Sequence, residues 1–146
     1  MRDILLYIEK NLDYKDSSNP SYHKEMIFRK LLADDTFCNH NKEELTYALE
    51  LLIKEHFIEC AKEPYFVRGS LISADIIGLT WSGHIFLDNI RNDTIWNAVK
   101  EKSKKIGKVS INALASAAGG LANAMMTDPN ALNNFLQGID NIGKMF

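Results

Sequence analysis

Only two cysteines, Cys38 and Cys60, occur in the 146 residues. That is too few for the disulfide framework of a small secreted domain, so the expected compartment is a reducing cytoplasm. Neither charge dominates: 17 basic and 19 acidic side chains leave a formal charge of −2, and no global basic surplus draws phosphate in. A secretory leader is not expected either, because the apolar stretch after Met1-Arg2-Asp3 meets Glu9 and Lys10 almost at once. There is no phosphate loop, no nucleophile elbow and no pair of histidines one helical turn apart. No catalytic constellation assembles, and the chain reads as non-enzymatic, with no cofactor called for. What remains is an ordinary globular composition, 46% hydrophobic and 25% charged, at the length of one domain with a short appendage.

The near-neutral total conceals a gradient. Met1 to Cys60 carries 8 basic and 12 acidic side chains, whereas Ala61 to Asn92 carries 3 of each. Asp93 to Ser110 holds 5 basic and 2 acidic, and Ile111 to Phe146 only 1 and 2. The front is acidic, one short helix is basic, and the tail is nearly chargeless.

Periodicity organises the chain. Ile4, Ile8 and Leu12 predict an amphipathic N-terminal helix, followed by a loop at Asp16-Ser17-Ser18-Asn19-Pro20. His23 to Leu32 reads as a second helix with Met26, Ile27, Phe28 and Leu31 inward. The clearest helix runs from Lys42 to Glu55, where Leu45, Ala48, Leu49, Leu52 and Ile53 form a complete apolar stripe behind an Asn41 cap. Phe57 to Cys60 reads as a strand, Pro64 as a break, and Leu71 to Leu79 as the returning strand of a β-wing. Thr80 is a cap for the next helix, with Phe86, Leu87 and Ile90 inward and Gly83 allowing close packing. Asp93 is the expected cap of a helix that buries Ile95, Val99 and Ile106 and ends at Gly107. Its exposed side offers a Glu101–Lys105 pair. Ser110 caps a further helix, and Leu132, Phe135, Leu136, Ile139 and Ile142 make a last amphipathic one. The fold class is mainly α with a small β-wing: a winged helix-turn-helix over residues 1–108, then a low-charge helical tail over 109–146.

Leu79-Thr80-Trp81-Ser82-Gly83-His84-Ile85-Phe86-Leu87-Asp88, followed by Arg91-Asn92-Asp93-Thr94-Ile95-Trp96, resembles a signature of small bacterial and phage proteins. That group is a domain-of-unknown-function family marked by L-T-W-x-G-H-x-F-L-D and R-x-D-T-x-W, and the opening Arg2-Asp3-Ile4-Leu5-Leu6 is similar to its usual start. The resemblance spans roughly residues 1–110. It implies a winged helix and a setting in prophages, mobile elements or host defence, and it implies no catalytic residue. Within the motif, Trp81 and His84 are expected to pack, with a surface site as the alternative.

A winged helix commonly reads the major groove with its third helix and the backbone with its wing. Here the reading helix offers Lys42, Thr46, Tyr47 and Lys54, the wing adds Lys62 and Arg68, and Glu43, Glu50 and Glu55 oppose phosphate. Charge therefore disfavours DNA. Lys100, Lys102, Lys104, Lys105 and Lys108 form the basic helix, read as a solvated face ahead of a nucleic-acid or lipid contact. Cys38, His40, His56 and Cys60 suit a zinc site by residue type. The tight C-x-H spacing and the strand position of Cys60 argue for a small buried hydrophobe instead, so no metal is expected.

Val109 to Thr127 contains no ionisable side chain, yet its Ala, Gly, Ser and Asn content is too polar for a normal membrane helix. Leu114, Ala118, Leu121, Met125, Leu132 and Phe135 are the candidate self-association residues. Docking back on the body or pairing across a dimer is favoured over a larger oligomer core, and that over membrane insertion. The expected protein is a cytoplasmic, non-enzymatic homo-dimer or higher oligomer that meets a protein partner from its own operon. The alternatives are a DNA-binding regulator of a mobile element and, more distantly, a defence effector whose tail enters membrane.

Overall fold

A computed structural model of the chain describes residues 1–12 and 26–145. The expected loop at Asp16–Pro20 and the start of the His23 helix lie outside the described residues, as does the side chain of Ile142. The chain forms two units, residues 1–84 and 85–146. The basic helix therefore groups with the tail, and the division falls some twenty-four residues before the expected one at 108.

In the first unit, helix α1 (Arg2–Leu12) buries Ile4, Leu5, Ile8 and Leu12, the stripe its spacing dictates, and packs against strand β5 (Asp75–Leu79). Met26 and Ile27 are not helical. They form a short strand β1 antiparallel to β5, pairing with Ile76 and Asp75, and Ile27 faces solvent. Helix α2 (Phe28–Leu32) starts only there, burying Phe28 and Leu31. A two-residue strand has no period of its own, and the apolar pair extended the helical pattern by accident of spacing.

Helix α3 (Lys42–Lys54) begins where expected. The Asn41 side chain accepts the backbone N–H groups of Glu43 at 2.8 Å and Glu44 at 3.3 Å, satisfying two donors of the first turn. Leu45, Leu49, Leu52 and Ile53 are buried. His56 follows with φ of 58°, the left-handed conformation that reverses the chain into strand β2 (Ile58–Cys60).

The returning segment is more divided than its pattern suggested. Strands β3 (Tyr65–Val67) and β4 (Ser70–Ser73) form a hairpin around Arg68-Gly69, both at positive φ, and β5 resumes after Ala74 to pair with β2. The sheet order is β1-β5-β2, with β3-β4 as a separate ribbon. Thr80 then caps helix α4 (Trp81–Arg91), its hydroxyl accepting the Gly83 N–H at 3.0 Å and donating to the His56 carbonyl at 2.7 Å. Gly83 faces the Phe57 carbonyl so closely that a Cβ would collide with the oxygen.

The second unit holds the rest of α4 and helices α5 (Asp93–Ile106), α6 (Ile111–Thr127) and α7 (Ala131–Met145), with α5 packing on both α6 and α7. Asn92, not Asp93, caps α5: its extended backbone lets the side chain accept from Thr94 and Ile95, while Asp93 already lies in the first turn. Gly107 with φ of 97° ends α5, and the Ser110 hydroxyl accepts the Ala113 N–H. Ile106 and Leu136, expected inside, are exposed at the end of α5 and on the outer side of α7. Among the described residues no helix is long and apolar enough to cross a membrane.

Candidate functional site

The α3 face and the wing hold six candidate residues: Lys42, Thr46, Tyr47, Lys54, Lys62 and Arg68. Lys54 is not free for phosphate. Its Nζ donates to the Gly69 carbonyl at 2.7 Å and lies 4.8 Å from the centre of the Phe66 ring, pinning the hairpin tip to the helix. One turn earlier, Glu50 accepts the Leu71 N–H at 2.7 Å. A carboxylate that argued against DNA is thus an acceptor for the wing's own backbone. Nothing short of the folded hairpin signals that role.

The other candidates divide. The Thr46 hydroxyl donates back to the Lys42 carbonyl, and Lys62 stands 4.0 Å from Asp75. Lys42 is exposed, and Arg68 projects at the hairpin turn. Tyr47 is 62% exposed. On the wing, Phe66 pairs with Leu71, which is buried; by strand alternation Tyr65 and Val67 fall on the opposite face, with Tyr65 61% exposed, and Ile72, at the register shift of β4, is 39% exposed.

Most of the basic helix is occupied internally. Lys102 lies 4.1 Å from the Phe135 ring centre and Lys105 pairs with Asp140 at 3.0 Å, both on α7. Lys100 sits 5.5 Å from the Trp96 ring centre, and Lys104 pairs with Glu101, the partner expected for Lys105. Lys104 holds the Glu101 carboxyl below its ordinary range. Lys108 is exposed beyond the helix end.

Among the self-association candidates, Ala118 and Leu121 are buried within their own unit, and Leu114, Leu132 and Phe135 are half-buried. Met125 is 37% exposed. It continues the Ala118–Leu121 stripe one turn further, towards the end of α6, beside the 85%-exposed Met126.

Trp81 does not pack: it is 79% exposed. Gly83 faces the body of the protein, and two residues on a helix stand about 200° apart, which directs Trp81 outward. The zinc candidates are divided between an exposed Cys38 and a half-buried Cys60. Among the described residues no three His, Cys, Asp or Glu side chains converge in a way that would hold a metal ion.

One polar cluster had no sequence signal. A cleft of about 360 Å³ between α1 and the segment preceding α3 is lined by Asp3, Tyr7, Lys10, Asp34 and His40. The Tyr7 hydroxyl donates to Asp34 at 2.7 Å, and His40 Nε2 lies 3.2 Å from Asp3. Phe37 wedges between the Tyr7 and His40 rings, 5.2 and 5.7 Å from their centres. Burial and the Asp34 bond push the Tyr7 phenol up to about 12, while the Thr36 hydroxyl and Tyr7 hold Asp34 low. The paired groups sit 27 and 37 residues apart, beyond any local pattern.

Residues 1–110 match the family described as "Hypothetical protein (DUF2513)". The chain belongs to that family. The DUF2513 segment takes in the whole first unit and continues through α4 and α5 to Ser110, so it stops where α6 begins. An uncharacterized protein of Haemophilus influenzae is 31% identical over 128 residues, covering 86% of this chain and 93% of that protein. At that coverage the similarity reaches into residues 111–146. No solved structure matches.

Proposed function

We propose that the first unit is a winged helix working as a protein-contact module, non-enzymatic, and not as a DNA reader. The winged-helix reading is supported by the element order α1-β1-α2-α3-β2, hairpin, β5, and by β1 and β2 flanking β5 in one sheet. The contact reading rests on one observation. The surfaces with which such a fold meets DNA carry exposed Tyr47, Tyr65, Val67 and Ile72, while the Lys54 cation is drawn onto the wing's own carbonyl. Phosphate affinity comes from cations that neutralise the backbone, and of the candidate cations Lys42, Arg68 and the 81%-exposed Lys62 remain for it, with Glu43 beside Lys42 and Asp75 4.0 Å from Lys62. Exposed tyrosines are instead the side chains enriched where proteins meet proteins. The setting implied by the family resemblance is a phage, mobile-element or defence system, and Met125, Met126 and Leu136 are the exposed apolar residues through which the tail would self-associate.

Photo-reactive phenylalanine analogues placed at Tyr47, at Tyr65 and, as a control, at Lys30 in the producing cell test this. Discrete protein adducts from the first two positions and none from the third are expected. Adducts to nucleic acid, or yields no higher than at Lys30, contradict it.

A further inference from the structure

The order β1-β5-β2 leaves β2 at the margin of its sheet. The Thr80 N–H donates to the Phe57 carbonyl at 3.2 Å, and the Ala61 N–H to the Asp75 carbonyl at 2.8 Å, so positions 57 and 61 bond towards the β5 side. Bonding direction alternates along an antiparallel strand, which turns the N–H and C=O of Ile58 and Cys60 the other way. Ile58 is buried, but Cys60 is half-buried and Ala61, Lys62 and Glu63 are exposed, so the edge opens at Cys60. A groove of about 540 Å³ follows this edge, bounded by Ile53 and His56 at the end of α3 and by Pro64 and Phe66 at the start of the hairpin. Its size falls in the range of roughly 300–1,000 Å³ common to ligand-holding clefts.

Carboxylates gather around Cys60. Burial, joined by the carboxylates of Asp75, Glu63 and Glu59, pushes the Cys60 thiol up to about 11. Of the two lysines beside the groove, Lys54 is held on the Gly69 carbonyl and Lys62 stands near Asp75. A second copy of this strand is a poor occupant. The strand is only three residues long and Pro64 follows it closely, so the edge is short, and pairing like edges would set these carboxylates against one another.

We propose that the groove accepts an extended, basic peptide segment of a partner protein, which adds to the β2 edge at Cys60 and directs its cations to Glu59, Glu63 and Asp75. Strand addition of this kind takes affinity from main-chain hydrogen bonds and selectivity from the flanking side chains. The groove is distinct from Tyr47 and from the outer face of the wing, so it goes beyond the reading above and fails or stands separately.

The test uses the full chain and three labelled octapeptides. One alternates lysine and valine, one alternates glutamate and valine, and one is the lysine peptide N-methylated at alternate residues to remove a row of donors. Only the unmethylated lysine peptide is expected to bind. Its affinity should fall several-fold in Glu59→Lys and in Glu63→Lys, both at exposed positions, and hydrogen exchange at the Cys60 amide should slow on binding. Equal binding of the methylated peptide overturns strand addition. Equal binding of the glutamate peptide, or unchanged affinity in both variants, overturns the charge argument, and no binding at millimolar peptide overturns the site.

Discussion

Replacing Gly83 by alanine puts a methyl group against the Phe57 carbonyl, with the carbonyl carbon 3.1 Å and the Leu79 Cβ 3.3 Å from it. The obstacle is backbone and cannot rotate away. It is also anchored, because the same carbonyl accepts the Thr80 N–H and the neighbouring His56 carbonyl accepts the Thr80 hydroxyl. Overpacking of this kind costs about 1–3 kcal/mol. Losing the Thr80 bond adds about 1 kcal/mol, and the better helix propensity of alanine returns about 1 kcal/mol. The net is a loss of about 2 kcal/mol, or roughly 4–8 °C in Tm for a chain of this size. Gly138 in α7 is the control, since a Cβ there meets nothing within 4 Å. Gly138→Ala should gain about 0.5–1 kcal/mol from propensity alone. Thermal and urea unfolding followed by far-UV circular dichroism reads both. If Gly83→Ala is as stable as Gly138→Ala, the close approach of α4 to the chain at Phe57 is wrong.

Other consequences follow from the same contacts. Glu50→Ala strands the Leu71 N–H and should cost about 1–3 kcal/mol, with faster hydrogen exchange at Leu71 than at the Leu49 amide inside α3. The Tyr7 phenol, raised to about 12 from 10.0, should give an ultraviolet titration component at that pH which Tyr7→Phe removes. Because its folded value lies above the unfolded one, it contributes stability below pH 10 that is lost as pH rises towards 12; Tyr7→Phe should remove that dependence. Lys102→Ala combined with Lys105→Ala releases α7 from α5, and limited proteolysis should then cut within 131–145 while the first unit persists.

The elements with a complete local pattern were legible. The stripe from Leu45 to Ile53 and the side chain of Asn41 define α3 without help from elsewhere in the chain, and Gly83 between Thr80 and Phe86 marked a close approach that the Phe57 carbonyl explains. What was not legible is set by distance or by shortness. Strand β1 is two residues long and owes its form to β5. Adjacent Asn92 and Asp93 are equally capable caps by residue type, and only the extended backbone at Asn92 decides between them. Lys102 and Lys105 looked like a solvated face because their partners, Phe135 and Asp140, lie 33 and 35 residues away on another helix. The candidate site suffered most from this. Lys54 and Glu50 were weighed as opposing charges towards DNA, yet both bind the hairpin backbone. That division of labour changes what the α3 surface presents from charge to tyrosine.

The most direct measurement is fluorescence anisotropy of a labelled random-sequence duplex titrated with the full chain, at low and at near-physiological salt. The protein-contact account predicts no binding at either, with no change in Arg68→Ala. Binding at low salt that falls steeply as salt rises, and weakens further in Arg68→Ala, would show that the wing meets phosphate and contradict it.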